Sequence, residues 1–357
     1  MKILQVITSL HTGGAEKLIV EMVPLYIKQG HEVEVLLFDG TDTPFKRQLQ
    51  AKGVKIHELR KGGNVYNPLN ILRLLPYLRK YDIVHTHNTA CQLFAAIGSV
   101  LCSVVLVTTE HNTSNRRRDW KWYRGIDRWM YSRYKAVICI SDKAKENLCR
   151  YLGKISSNIL TIYNGINLQT FQSTKEDTSL KQGKTIITMV ARFTYQKDQE
   201  TLIRSLLYLP QGKYMLWLVG DGERRPILES LVKELGLESA VRLWGNRDDV
   251  PVLLKSSDII VMSSHFEGLS LSNIEGMAVG HPFIASDVDG LHEATEGAGI
   301  LFPHGDAEAL AHEITKLMDD KAYYRQVADR CMARAAQYDI HKTVNAYLGV
   351  YKGLAKH

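Results

Sequence analysis

The chain has 357 residues, of which 45% are hydrophobic and 23% charged, and its formal net charge is +7. This length suggests two domains, and this composition excludes a low-complexity or disordered chain. The five cysteines form no CxxC pair, which argues against a disulfide framework or a zinc site and favours a reducing compartment.

Short apolar runs alternate with helical patterns through the first 165 residues. Residues 3–10 form a short apolar run that predicts a buried strand. A secretory signal is not indicated, because the N-terminus lacks the apolar region and the small-residue cleavage site of such a signal. A helix is predicted over 14–30, and further strands over 32–38, 82–87, 104–111 and 136–141. Strands that are apolar throughout, with helices between them, indicate a parallel sheet covered on both faces.

Two segments of the first half stand out by their charge. Residues 88–109 carry none over about the length of a bilayer span, but interrupting serines and a β-branched end favour a buried helix followed by a strand. Residues 115–135 carry eight Lys/Arg, two Asp and three of the five tryptophans. That composition suits an anionic membrane interface or an acceptor contact, and a solvated helix face is the alternative.

The second half repeats the alternation after a polar stretch at 166–184, which we interpret as a linker. Strands are predicted over 184–193, 214–222, 240–245, 258–264, 282–288 and 298–303, and helices over 198–209, 224–236, 250–257 and in the tail from 306. The expected fold is α/β, with two Rossmann-like doubly wound domains. Their facing strand ends would form a ligand-binding cleft.

Each predicted domain opens with a strand, a polar loop and a helix. The first loop contains Gly13 and Gly14, which would let a backbone approach an anion, although a tight turn needs the same residues. The second loop contains Arg192 and Lys197, two cations that suit a diphosphate unless they are solvated surface charges. The first loop matches neither GxGxxG nor a Walker motif, so a nicotinamide or ATP site is not indicated.

Two glutamates, Glu267 and Glu275, flank an apolar stretch that follows a predicted strand. Their expected separation exceeds that of a hydrolase's carboxylate pair, so they suit the two ends of one long ligand. Glu275 would bind a ribose and Glu267 would face a sugar, while backbone N–H groups of residues 269–272 hold a diphosphate between them. The alternatives are a capping box formed by Ser272 with Glu275, and a plain loop carboxylate at 267.

Three histidines end predicted strands, namely His85, His87 and His111. His111 is expected to face the cleft and contact a sugar, unless it has only a structural role. A metal site at His85 and His87 would lack an acidic or cysteine partner nearby in sequence. The DxD at 287–289 is also expected to bind no metal, since cations and a helix terminus already supply positive charge.

Together these motifs resemble the retaining glycosyltransferases of family 4, or glycosyl transferase group 1, which have the two-domain GT-B fold. The segment EGLSLSNIEGMAVGHPFIASDVDG is similar to that family's E-x7-E signature, and VARFTYQKDQETLI is similar to its phosphate loop. The segments TSLHTGGAEK, DIVHTH, TTEHN and LVGDGERRPILESLVKELGL fall in the family's order. Two departures are Gly276, where alanine is usual, and Asp289, where glycine is usual.

The resemblance implies an N-terminal acceptor-side domain over 1–168 and a nucleotide-sugar-binding domain over 169–335. A C-terminal helix over 336–357 is expected to cross back to the first domain. The implied donor-binding residues are Gly13, Gly14, Arg192, Lys197, Trp244, Gly245, Glu267, Leu269, Ser270, Leu271 and Glu275. The implied catalytic residues are His111, Glu267, Arg192 and Lys197.

The expected activity is retaining transfer of a hexose from a UDP- or GDP-sugar to a glycan or lipid-linked glycan in surface polysaccharide biosynthesis. No metal or other cofactor is expected. The residues expected to contact acceptor or membrane are Arg116, Arg117, Arg118, Trp120, Lys121 and Trp122, which would make the enzyme cytoplasmic and peripheral on the inner face of the membrane. The alternatives are a GT-B sugar-nucleotide epimerase and, more remotely, a nucleic-acid-binding protein, although no nucleic-acid module is recognisable.

Overall fold

The computed structural model describes residues 1–11, 13–111, 120, 122–153, 157–267 and 271–355. The chain forms two compact units, one made of Met1–Gly165 with Ile340–His357 and the other of Ile166–Asp339. The last helix therefore belongs to the first unit, although it is separated from the rest of that unit in sequence.

The first unit contains a parallel sheet of seven strands, ordered β3-β2-β1-β4-β5-β6-β7. The strands are β1 Lys2–Ile7, β2 Glu32–Leu37, β3 Ile56–Glu58, β4 Ile83–His87, β5 Leu106–Glu110, β6 Ala136–Cys139 and β7 Ile159–Thr161. The helices between them are α1 Gly14–Lys28, α2 Pro44–Ala51, α3 Leu69–Leu78, α4 Thr89–Gly98, α5 Tyr123–Ser132 and α6 Asp142–Leu152.

The second unit contains a parallel sheet of six strands, ordered β10-β9-β8-β11-β12-β13. Its strands are β8 Thr185–Val190, β9 Tyr214–Val219, β10 Val241–Gly245, β11 Ile259–Met262, β12 Phe283–Ser286 and β13 Ile300–Phe302. Its helices are α7 Leu168–Ser173, α8 Gln199–Ser205, α9 Arg225–Glu234, α10 Val250–Lys255, α11 Leu271–Met277, α12 Leu291–Thr295, α13 Ala307–Asp319 and α14 Lys321–Ala335. The final helix, α15, spans Ile340–Ala355.

The central strands are buried on both faces, as their continuous apolar runs predict. All five residues of β4 and β5 and all six of β9 are buried. In the first unit, α15 contributes Val344, Tyr347 and Tyr351 to the core beside Ile3 and Val107 of the sheet. The helix thus covers one face of β1, β4 and β5.

The uncharged segment 88–109 forms α4 followed by β5, which confirms the predicted buried helix and strand. Within the described residues, no helix combines the length and the apolar character needed to cross a bilayer.

The interpretation of 166–184 as a linker was wrong in part, because this stretch contains α7 and a short 3-10 helix at Thr178–Lys181. Leu168 and Phe171 of α7 are buried in the core of the second unit. They lie three residues apart and so share one face of the helix. A single apolar pair within a polar sequence gave too weak a periodic signal to predict it.

Candidate active site

The loops that follow β8 and β11 meet at the carboxyl edge of the second sheet. These strands are neighbours, and the chain leaves β8 toward β9 on one side while β11 lies on the other. Such a reversal of strand order is the position where doubly wound sheets bind ligands. Arg192 and Lys197 follow β8, and Glu267 follows β11.

Lys197 and Glu267 form an ion pair in which both side chains are mostly buried, at 16% and 6% exposure. The hydroxyl of Ser264 donates a further hydrogen bond of 3.3 Å to the same Glu267 oxygen. Burial, followed by the positive charge of Arg192, lowers the pKa of Lys197 to about 8 even with this carboxylate in contact. The site therefore holds a desolvated ammonium paired with one carboxylate, with the charge of Arg192 close enough to act on it.

Arg192 is exposed, and its carbonyl oxygen accepts a 3.1 Å hydrogen bond from the side chain of Gln199 at the start of α8. The positive charge of Arg192 contributes to lowering the pKa of Lys197, so two positive groups lie near each other at this edge. The loop is further tied to the β11 loop, because the backbone N–H of His265 donates to the carbonyl of Gln196 at 2.8 Å.

Two glycines after β9 hold the Arg192 loop in position, and the sequence interpretation missed them. A Cβ at Gly222 would lie 2.9 Å from the backbone nitrogen and carbonyl carbon of Phe193, and one at Gly220 would collide with the carbonyl of Ala191. Gly220 also has a φ of +134°, which other residues rarely adopt. The VGDG sequence was the signal for this backbone-to-backbone packing.

Glu275 is 3% exposed within α11, whose described residues begin with Leu271. Ser272 therefore lies inside the helix, which does not support the capping box formed by Ser272 with Glu275. The predicted positions Leu269 and Ser270 lie outside the described residues. Close packing explains why a glycine stands at position 276, because a Cβ there would lie 2.8 Å from Ile260 and 3.0 Å from Phe283.

Trp244 and Gly245 end β10, at the same edge of the sheet. The guanidinium of Arg242 lies 3.7 Å from the Trp244 ring centroid and that of Arg247 lies 5.1 Å from it. Gly245 has a φ of +71° and accepts a hydrogen bond from the backbone N–H of Gly220. The tryptophan ring is thus already covered by cations of its own strand and loop.

Asp289 follows β12, and its carbonyl oxygen accepts a 3.4 Å hydrogen bond from the backbone N–H of Glu267. The hydroxyl of Ser286 donates to the carbonyl of Ser264 at 2.6 Å. These contacts join the loop after β12 to the loop that carries Glu267.

One cluster with metal-ligand chemistry lies in this region and was not predicted. Asp198, His265 and His304 bring their ligand atoms within 4.8 Å of one another. The Asp198 carboxylate already accepts hydrogen bonds from the backbone N–H and the hydroxyl of Thr201 at the start of α8, at 3.2 and 2.6 Å. His265 and His304 hydrogen-bond each other at 2.6 Å. Each of the three side chains therefore has a protein partner of its own.

The corresponding reversal in the first sheet lies between β1 and β4. A cavity of about 490 Å³ opens there, lined by Thr8, Ser9, His11, Asp39, Val65, Tyr66, Asn88, Thr89 and Ala90. The Asn88 amide donates to the Thr8 hydroxyl at 2.9 Å, which ties the loops after β1 and β4 together. The cavity has polar groups from several loops, and the sequence interpretation did not single out any of its residues.

Asp39 is the carboxylate of this cavity. Burial alone would raise its pKa, but hydrogen bonds from Thr41 and from the backbone N–H of Gly62 outweigh it, so the pKa of Asp39 is lowered. Its Oδ1 accepts from the Thr41 hydroxyl at 2.7 Å and from Gly62 at 2.8 Å. The group is therefore an ionised hydrogen-bond acceptor at neutral pH.

Gly13 and Gly14 lie at the start of α1, with Gly14 as its first residue. A Cβ at Gly13 would collide with the carboxylate of Glu16, whereas nothing lies within 4 Å of one at Gly14. An anion that approached Gly13 from that side would meet the Glu16 charge, so Gly14 is the better placed of the two.

His111 directly follows β5, and its Nε2 hydrogen-bonds Nδ1 of His87 at 2.8 Å. Burial lowers the pKa of His111 to about 4, so the imidazole is neutral at pH 7. His85 and His87 both form hydrogen bonds to protein side chains and do not direct their ring nitrogens at a common metal position.

Trp120 and Trp122 are 52% and 68% exposed, and their rings stack at 6.0 Å. Trp129 of α5 is also exposed, at 41%. The basic residues Arg116, Arg117, Arg118 and Lys121 lie outside the described residues. The described part of this segment therefore presents an aromatic surface to solvent.

Two Rossmann-like sheets, each with polar loops at its reversal of strand order, define the GT-B class of fold. Residues 12–170 match the family model described as Glycosyltransferase Family 4, and residues 170–336 match that described as Glycosyl transferases group 1. The two models together span residues 12–336, and the chain belongs to this family of glycosyltransferases, as the motifs predicted.

Similar proteins are known by sequence and by structure. An uncharacterized glycosyltransferase, MJ1607 of Methanocaldococcus jannaschii, is 26% identical over 90% of each chain. The Escherichia coli UDP-Gal:alpha-D-GlcNAc-diphosphoundecaprenol alpha-1,3-galactosyltransferase is 28% identical over 68% of this chain and 67% of its own. The crystal structure of Anabaena Alr3699/HepE in complex with UDP-glucose superposes with a TM-score of 0.85 at 23% identity, over 99% of this chain and 100% of that one, which supports the fold.

Proposed function

We propose that this glycosyltransferase moves a hexose from a UDP- or GDP-sugar to a hydroxyl of a glycan or lipid-linked glycan in surface polysaccharide biosynthesis. The observation that carries the proposal is the buried Lys197–Glu267 ion pair beside Arg192, at the strand reversal of the second sheet. The name of the Escherichia coli relative describes a UDP-sugar donor and a lipid diphosphate acceptor, which supports the same substrate classes here.

The second unit would bind the donor. Departure of a nucleoside diphosphate develops negative charge, which a fixed and desolvated cation stabilises better than water does. Lys197 has this character, because its side chain is mostly buried and is held by Glu267 in the folded protein. Arg192 is exposed and would add a second, more mobile contact to the same diphosphate.

Glu267 would orient the donor sugar rather than attack it. One carboxylate oxygen is already engaged by Lys197 and by Ser264, which lowers its nucleophilicity. We therefore propose retention by a front-face route, in which the acceptor enters on the side from which the diphosphate leaves and no enzyme nucleophile is needed. Glu275, buried in α11, would hold the ribose.

The reaction is proposed to need no metal. Lys197 and Arg192 supply the positive charge that a metal provides in other glycosyltransferase architectures. In the cluster of Asp198, His265 and His304, each side chain is already hydrogen-bonded within the protein. A chelator should therefore leave the rate unchanged.

The first unit would bind the acceptor in the cavity between β1 and β4. Hydroxyl, amide and carboxylate groups around about 490 Å³ suit a polyhydroxylated sugar, and Tyr66 offers an aromatic ring for its apolar face. His111 follows β5, which is separated from β1 in the sheet only by β4. It would contact the reacting sugar as a neutral imidazole.

Peripheral attachment to the inner face of the membrane is part of the proposal. The stacked and exposed Trp120 and Trp122 suit the interfacial region of a bilayer, and the neighbouring basic residues suit anionic lipid headgroups. The enzyme would then act in the cytoplasm on acceptors held in the membrane.

A thermal-shift panel of nucleotide sugars tests the donor class. A ligand at about 100 times its Kd adds roughly 2.7 kcal/mol to stability, so the correct base and sugar should stand out from the others. If no UDP- or GDP-sugar raises the melting temperature while random DNA binds in a salt-dependent way, the nucleic-acid alternative is favoured. Product analysis without acceptor separates an epimerase, which would still convert the nucleotide sugar.

A further inference from the structure

A continuous chain of buried hydrogen bonds leads from His111 into the core of the first unit. His111 Nε2 bonds His87 Nδ1, and His87 Nε2 bonds Oε1 of Gln5, both at 2.8 Å. Gln5 lies on β1 and His87 on β4, and these strands are paired. Gln5 and His87 are 2% and 3% exposed, so water does not compete for these bonds.

The chain continues to the last helix. The amide nitrogen of Gln5 donates to the hydroxyl of Tyr351 at 3.4 Å, and that hydroxyl contacts Nδ1 of His85. Nε2 of His85 bonds the Thr109 hydroxyl at 2.8 Å, and Thr109 bonds the Tyr347 hydroxyl at 3.0 Å.

With the Gln5 amide oriented as it is in the structure, its oxygen toward His87 and its nitrogen toward Tyr351, the hydrogen-bonding capacity of each atom determines where the protons lie. The amide oxygen of Gln5 has no hydrogen and can only accept, so Nε2 of His87 must be the donor. A neutral His87 then has a bare Nδ1, which can only accept, so the hydrogen between the two rings belongs to His111 Nε2. The same arrangement of protons satisfies the rest of the hydrogen-bond chain. The Tyr351 hydroxyl accepts a hydrogen bond from the Gln5 amide and donates one to Nδ1 of His85.

Both rings are held neutral, which this proton order requires. Burial, followed by the nearby His85 and His111, lowers the pKa of His87 well below its usual value. Burial likewise lowers the pKa of His111. A charged imidazole would donate from both nitrogens and break the order.

We propose that His87 and Gln5 are positioning residues that fix His111 in the Nε2–H tautomer, so that its bare Nδ1 accepts a hydrogen bond from a substrate hydroxyl. Within the described part of the chain, Nδ1 of His111 has no hydrogen-bond partner. The substrate group opposite His111 must then be a hydrogen-bond donor, which a free sugar hydroxyl supplies and an ionised carboxylate or phosphate does not. This inference rests on the proposed function for the identity of the substrate, but the tautomer itself does not.

The tautomer can be read without substrate. In the full-length protein labelled with ¹⁵N-histidine at pH 7, a long-range ¹H–¹⁵N correlation spectrum shows which ring nitrogen carries the hydrogen, and His111→Asn identifies the His111 signals. We expect a protonated Nε2 and a bare Nδ1 for His111. A protonated Nδ1, or comparable populations of both forms, would overturn the proposal without any network variant having to fold.

The variant Gln5→Met tests whether Gln5 controls the tautomer of His111 through His87, an effect that we call the relay. It keeps the volume of the side chain but removes the acceptor, so we expect the Nδ1–H form of His111 to become populated. Tyr347→Phe is the matched control, because it removes a buried hydroxyl at the far end of the chain and leaves the contacts of His87 intact. An unchanged His111 tautomer in folded Gln5→Met would also refute the relay.

Activity supplies a second, separate readout. With a nucleotide sugar that the enzyme uses, Gln5→Met should lower kcat about 5- to 10-fold at unchanged donor KM, the size expected for one lost hydrogen bond. If the tautomer behaves as expected and no nucleotide sugar is turned over by the native enzyme, the proposed function fails and the positioning of His111 stands.

Discussion

The ammonium of Lys197 contacts the carboxylate of Glu267, although the two residues are 70 positions apart in the chain. They meet because β8 and β11 are paired and direct their following loops to the same edge of the sheet. The contact is buried, so removal of either partner would leave an uncompensated charge in a desolvated place.

Lys197→Met should lower kcat/KM for the donor. A lost charge-assisted hydrogen bond costs ~1.5–3 kcal/mol, which is about a 10- to 150-fold fall. Steady-state kinetics on Lys197→Met and on Lys233→Met, an exposed lysine of α9, make a matched comparison. Equal rates for the two variants would refute a role for Lys197 in donor binding or leaving-group stabilisation.

The same lysine predicts a pH dependence. Its pKa of about 8 means that the ammonium is present below about pH 8 and is lost as the pH rises through that value, so kcat/KM should fall on the alkaline side. His111, with a pKa of about 4, stays neutral at higher pH and should give no acidic limb above about pH 5. Lys197→Arg keeps its charge, so its profile should stay flat between about pH 7 and 9; a native-like fall there would point to another group.

Gly222→Ala should destabilise the second unit by roughly 1–3 kcal/mol, because the added Cβ overlaps the backbone of Phe193. Gly349→Ala, in α15 with nothing within 4 Å of the added atom, should instead stabilise the protein by about 0.5–1 kcal/mol. Urea unfolding monitored by circular dichroism measures both. Similar midpoints for the two variants would mean that the loops are not held by this backbone contact.

Asp39→Asn should raise KM for the acceptor and leave the donor KM unchanged. The asparagine keeps an oxygen for Thr41 and Gly62 but removes the negative charge from the cavity, at a cost of about 1–2 kcal/mol if a sugar hydroxyl donates to it. Asp42→Asn, an exposed neighbour outside the cavity, is the control. A change in donor KM alone would place the donor, not the acceptor, near Asp39.

A double substitution of Trp120 and Trp122 by Ala should reduce co-sedimentation with vesicles that contain anionic lipid. Aromatic side chains at the interface and basic residues contribute together, so added salt should weaken the binding that remains. Tyr208→Ala removes a similarly exposed aromatic residue, 55% exposed, from the second unit and should have no effect. Undiminished binding of the double variant would locate the membrane contact elsewhere.

Much of the fold of this protein, and the family to which it belongs, could be predicted from the sequence alone. Apolar strands such as β4 and β9 are buried on both faces wherever they pack, so their pattern predicts a parallel sheet before any neighbour is known. The order of motifs likewise predicted the family. Helix α7 was missed because the apolar pair Leu168 and Phe171 gave no periodic signal within polar surroundings.

Tertiary structure decided which of the predicted side chains touch. Lys197 meets Glu267, and His111 meets His87, only because strands distant in sequence are adjacent in the sheets. The polar chain that runs from His111 to Tyr351 was beyond prediction for the same reason, since α15 reaches the first sheet from the far end of the sequence. Local patterns fix which residues are buried, whereas hydrogen-bond partners depend on distances between elements that no local pattern encodes.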